Sequence, residues 1–248
     1  MLRGERAPAL VLLVLVPVLS WTWIVMMARD MYGPMTGASA WMMTLHWDVP
    51  HLLLLWAMWA VMMTGMMLPS AAPLVVLYGA AARRSAPLTA ARQTYALAAG
   101  YLVAWTAFSF GAVVLQRALA SLLLLSPMME AADSRVSAAL LLVGGVYQLT
   151  PLKDACLRTC QSPVGFLIGR WRNGGDSAFR MGLEHGSHCV GCCWALMLLL
   201  FAGGVMNVVV IVALTAFVAF EKLVPLGRLG ARISGACMIG AGCWILVR

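Results

Sequence analysis

Apolar residues in this chain fall into long, nearly unbroken runs separated by short polar connections, and run length decides the fold class. About 20 apolar residues coiled as a helix cross about 30 Å of hydrocarbon with every backbone N–H and C=O bonded inside the segment. The runs predict seven such spans, at 8–28, 52–82, 94–125, 136–152, 189–204, 205–220 and 233–247. The second and third are longer than a crossing requires and are expected to tilt or protrude. The fifth and sixth are nearly contiguous, so either residues 203–207 make a tight turn or one of the pair does not fully cross. The first run follows Arg3 and Arg6 as a secretory signal would, but it is too long for that role. It also lacks a small-x-small cleavage site, so it is expected to be a retained helix. Short alternating strands of the barrel type do not occur. The expected fold is an all-α polytopic membrane helix bundle, one integral membrane domain over residues 1–248.

Composition agrees with the pattern: 62% of residues are hydrophobic and 10% charged, against about 25% charged in soluble domains. The net charge of +8 comes from basic residues in short groups between the apolar runs. They have no interleaved aromatic pattern, which excludes nucleic acid as a partner and makes them topology signals. With the N-terminus inside, thirteen of the 17 basic residues lie on the inner side, Lys153 and Lys222 among them. That bias predicts N-in, C-out in the bacterial inner (plasma) membrane, with the lipid bilayer as partner. The longest polar connection, 153–188, is expected to be a cytoplasmic loop carrying a short interfacial helix at 164–171. Seven cysteines without a large exported domain do not describe a disulfide scaffold.

Candidate chemistry concentrates where the fifth apolar run begins. His185, His188, Cys189, Cys192 and Cys193 stand at i, i+3, i+4, i+7 and i+8, so a helix projects all five from one face. The fourth span leads into Cys156 and Cys160, again at i and i+4. Pairs from facing helices make a four-coordinate site without a wrapping loop. Its candidates are Cys156, Cys160, Cys189 and either Cys192 or Cys193, with His185 or His188 substituting. Thiolates favour Cu(I) and Zn(II); reduced cysteines that merely pack are the plain alternative.

A second candidate is the methionine ladder of the second span. Met58, Met62 and Met66 recur every four residues, about 12 Å along one helix face at 1.5 Å per residue. Thioethers suit Cu(I) and bind Zn(II) poorly, although methionine also fills core gaps. On the outer side His46 and His51, with Asp48, are secondary candidates for receiving an ion where the ladder begins. Pro69 and Pro73 are expected to break the second span and free carbonyls beside the deepest methionines. Glu221 and Lys222 read as a self-neutralising pair at the interface. Tyr147 and Gln148 are expected to hydrogen-bond neighbouring helices.

Four segments together, Met62-Met-Thr-Gly-Met-Met-Leu-Pro-Ser-Ala-Ala-Pro73, Lys153-Asp-Ala-Cys-Leu-Arg-Thr-Cys160, His185-Gly-Ser-His-Cys-Val-Gly-Cys-Cys-Trp194 and Glu221-Lys222, resemble a bacterial family of predicted metal-binding integral membrane proteins. The resemblance runs from about residue 52 to the C-terminus and implies a metal role without a defined activity. The expected function is soft-metal handling, chiefly of copper as Cu(I), with zinc as the alternative metal. A permease, a chaperone loading a partner metalloprotein and a homeostasis component all fit. Two rivals stay open: a membrane thiol–disulfide oxidoreductase using Cys189 and Cys192, and a structural zinc protein acting through a partner.

Overall fold

The computed structural model describes residues 11–33, 35, 38–43, 47–171, 174–224 and 227–247. Those residues are almost entirely helical, and among them the only extended pairing is one isolated bridge, Leu125 to Ala131. A π-helical turn, Val11–Leu15, leads into α1 (Val16–Met31), followed by the short α2 (Ala38–Met42). Next come α3 (Val49–Met67), a 3-10 turn at Pro69–Ala71, α4 (Ala72–Ser85) and α5 (Ala90–Ser121). Then follow α6 (Ser134–Gln148), α7 (Pro151–Gln161), α8 (Pro163–Arg170), α9 (Gly175–Met197), α10 (Leu199–Gly203), α11 (Val208–Leu223) and α12 (Gly227–Val247).

Five stretches are long and apolar enough to cross a membrane: 11–31, 49–85, 90–121, 175–203 and 229–247. The α6–α7 pair, bent by 68°, makes a sixth if taken as one broken span. Helix α11, at 16 residues, is shorter than the ~20 that a crossing needs, so the expected count of seven is not reached on length and composition.

The expected 153–188 loop is corrected more sharply, because α7, α8 and about four turns of α9 occupy it. The interfacial helix placed at 164–171 corresponds to α8. Hydropathy missed the start of α9 because its first turns are amphipathic. Ala178, Met181 and Gly182 are buried while Asp176 and Arg180 face out.

Close backbone approach sets the packing. On α5 and α9 a Cβ added at Gly182 would meet the Leu97 carbonyl oxygen at 1.9 Å, and one at Gly100 would meet the Phe179 carbonyl oxygen at 2.0 Å. Small residues four apart let helices approach in this way without a hydrophobic driving force between them. Helices α6 and α12 pack closely by the same device.

The break in the second span is present, and its freed groups find partners. Pro69 has no N–H for the Gly65 carbonyl, which accepts instead from the Trp21 indole at 3.2 Å. The Met67 carbonyl accepts from Ser70 Oγ at 2.7 Å and Tyr101 OH at 2.9 Å. Three interruptions therefore lie at one level of the bundle: the turn at Pro69–Ala71, the α6–α7 bend and the C-terminal end of α11. Contacts of Lys222 with Ser70 and of Lys153 with Glu221 tie them together.

Candidate metal centre

Helix α9 presents its motif inward. His185, Cys189, Cys192 and Cys193 are buried, whereas His188, expected on the same face, is half-buried at its edge. Cys189, Cys192 and Cys193 share one core cluster with Met58, Met62, Met63, Met66 and Met67 of α3, with Cys156 and Cys160 packed against it. The sulfur sites at 156–160 and 185–193 are thus brought to the same region, next to the deep end of the methionine ladder.

Across the α7–α9 interface the Cys160 and Cys192 sulfurs are 3.9 Å apart. Cys192 and Cys193 direct their thiols at the Cys189 carbonyl, at 3.1 and 2.9 Å. Cys156 does not join this group as a neighbour of equal standing. Its sulfur rests over Gly191, where an added Cβ would meet it at 2.8 Å. Tyr147 fixes the same turn by donating to the Gly191 carbonyl. Cys237 and Cys243 are exposed on α12 and do not belong to the core cluster.

Cys189 has the most distinctive surroundings. Lys222 Nζ, from the last turn of α11, donates to Cys189 Sγ at 2.8 Å and to Ser70 Oγ at 3.1 Å, and lies 4.0 Å from Met67 Sδ. Tyr101 OH is 3.0 Å from the same thiol. The reading of Glu221 and Lys222 as a mutual pair is therefore corrected. Adjacent residues on a helix do not face each other. Glu221 turns instead to Lys153 Nζ at 2.7 Å and accepts from Gln148 Nε2 at 2.9 Å. Lys153 and Lys222 are both buried, so neither acts as the exposed inner-side charge expected of it. Sequence reasoning missed Lys222, Tyr101 and Ser70 as neighbours of the thiols. The available signal was a lysine closing an apolar run, since an ionisable residue in such a place needs a partner.

A cavity of about 210 Å³ opens beside the cluster, lined in part by Ser70, Cys160, Gln161, His185 and Lys222. The buried imidazole of His185 sits against the Phe166 ring, centroids 5.0 Å apart, and its Nδ1 has no hydrogen-bond partner. Among the described residues, no group of three or more His, Cys, Asp or Glu side chains is arranged to hold a metal ion. The four-coordinate site expected from Cys156, Cys160, Cys189 and Cys192 or Cys193 is therefore not preformed.

The outer candidates fare differently from one another. His51 is buried, with Nε2 3.1 Å from the Met42 carbonyl oxygen, and its Nδ1 is unpartnered. Asp48 is the N-cap of α3, accepting from the His51 N–H at 3.1 Å. His46 lies outside the described residues. Met58, Met62 and Met66 are buried within α3.

A family model, PpoB2, described as a copper chaperone, matches residues 56–245. The chain belongs to the PpoB2 copper-chaperone family. No curated protein and no solved structure matches it. The PpoB2 match takes in the methionine ladder, both cysteine groups and Lys222, and begins after His46 and His51. Membership gives the chain a copper-related role, and the donor set agrees with it. Thiols next to a thioether suit a soft monovalent ion better than zinc.

Proposed function

We propose that this protein is a membrane-integrated Cu(I) carrier that takes the ion along the buried methionines of α3 and holds it at the thiols of Cys189, Cys192 and Cys160 for delivery to a copper protein. One observation carries the reading: Cys160 Sγ lies 3.9 Å from Cys192 Sγ, which belongs to the core cluster that also contains Cys189 and the ladder methionines. Thioethers bind Cu(I) through a neutral soft donor and exchange it readily, while thiolates bind it with charge. An ion moving from Met66 and Met67 to Cys189 therefore moves downhill. Met67 beside Cys189 favours Cu(I) over Zn(II) as cargo. His185, buried and with a free ring nitrogen, is the candidate nitrogen donor, and Cys156 is peripheral.

The protein acts in this reading from the bacterial plasma membrane. The five long apolar stretches support integration. The orientation is read from the basic residues with α11 counted as a seventh crossing: without the buried Lys153 and Lys222, eleven then fall inside and four outside. Copper stoichiometry of detergent-purified protein tests the proposal. Wild type should retain Cu(I), and a Cys189→Ser/Cys192→Ser variant should lose it. Equal copper in both ends the proposal.

The 3.9 Å separation also favours a second reading, thiol–disulfide exchange between Cys160 and Cys192. Alkylation trapping in cells separates the two. A cycling Cys160–Cys192 disulfide supports exchange, and permanently reduced thiols protected by copper support the carrier.

A further inference from the structure

The Lys222 ammonium stands where a cation bound by this site would stand. It is buried, and the atoms around it are Cys189 Sγ at 2.8 Å, Ser70 Oγ at 3.1 Å and Met67 Sδ at 4.0 Å. Among the described residues it forms no ion pair with a carboxylate, because Glu221 is turned to Lys153. A buried ammonium without a carboxylate is costly, so its position against a thiol and a thioether calls for an explanation beyond packing. The cavity of about 210 Å³ gives the explanation its second half. It is lined by Lys222 itself, by Gln161 and by His185 with its unpartnered Nδ1, among apolar residues such as Leu74 and Leu223, so the side chain has adjoining space with polar groups in it.

We propose that Lys222 is a tethered competitor for the copper site: its ammonium occupies the cation position of the empty protein, swings into the cavity when Cu(I) binds, and returns to help expel the ion at delivery. The inference rests on the carrier reading above. The exchange is a ligand substitution at the Cys189 thiolate in which the Lys222 ammonium leaves and Cu(I) takes its place; Cys192 and Cys160 release their thiol protons to solvent as they coordinate, and no electron moves. A long side chain with a mobile charged head suits this role, and the last turn of α11, beside the broken α3–α4 span, places it within reach of both positions.

Competition with a chromophoric Cu(I) chelator on detergent-purified protein tests the device. An ammonium seated nine-tenths of the time lowers apparent affinity about tenfold. Lys222→Leu, which removes the ammonium without adding a donor, should therefore bind Cu(I) about tenfold more tightly than wild type and release it to the chelator more slowly. Lys222→Arg, which keeps a tethered cation, should stay close to wild type. Unchanged or weaker binding by Lys222→Leu overturns the proposal. A measurement on the wild-type chain stands whether or not the variants fold. Acetylation of Lys222, followed by mass spectrometry, should rise several-fold on loading with Cu(I) as the amine leaves the thiol, and constant or reduced labelling counts against displacement. Cys189→Ser separates the two levels of the argument. If it binds copper as well as wild type, the carrier reading fails and takes this inference with it. If it loses the ion while Lys222→Leu gains nothing, displacement alone fails.

Discussion

Two buried lysines and one buried carboxylate at the same level of the bundle make this end of the protein electrostatically uneven. Lys153 and Glu221 neutralise each other at 2.7 Å, with Gln148 completing the carboxylate's hydrogen bonds. Removing one partner strands a buried charge, at a cost of about 3–5 kcal/mol, while removing both is close to neutral. Lys153→Met should accordingly lower the thermal unfolding midpoint markedly, and Lys153→Met/Glu221→Gln should recover most of the loss. The thiols should divide as sharply. Cys189→Ser is expected to weaken Cu(I) binding by at least about tenfold, or about 1.4 kcal/mol. Cys156→Ser, whose sulfur lies over Gly191, should leave binding within a small factor, as chelator competition will show. At this scale the sequence identified the donor types but not their partners. Glu221 and Lys222 are neighbours along the chain, and only the helical turn between them sends one to Lys153 and the other to Cys189.

Helix contacts explain why the thiols meet. Gly100 and Gly182 let α5 and α9 touch backbone to backbone, which brings Tyr101 to within 3.0 Å of Cys189. Gly182→Ala should therefore yield poorly folded, aggregation-prone protein, because its added carbon would sit 1.9 Å from the Leu97 carbonyl oxygen. Gly111→Ala on α5 meets nothing within 4 Å and should leave stability unchanged or raise it by about 0.5–1 kcal/mol. Size-exclusion profiles and melting curves of the two variants decide the point. The long apolar helices and the proline break at 69–73 were legible because composition and missing N–H groups act locally. The start of α9 was not, since its apolar face exists only against α5; α8 was legible as the short helix at 164–171. The 3.6-residue period revealed the cysteine stripes; which stripes face each other depends on tertiary packing.

For the molecule as a whole, the reading is of a bundle with a sulfur-lined interior that opens near three chain breaks. Its orientation carries a separate prediction: with α11 counted as a seventh crossing and the chain N-in, C-out, alkaline phosphatase fused after Arg248 should be active, and fused after Ala86 inactive. The reverse pattern inverts the direction of copper transfer while leaving the site intact. The family match and the buried sulfurs converge on copper, and the carrier reading has the ion draw its donors together on binding. X-ray absorption spectroscopy of the Cu(I)-loaded protein addresses that claim most directly. The account predicts monovalent copper in a sulfur-dominated shell that disappears in Cys189→Ser/Cys192→Ser; copper bound only by nitrogen and oxygen, or an unchanged sulfur shell in the double variant, would contradict it.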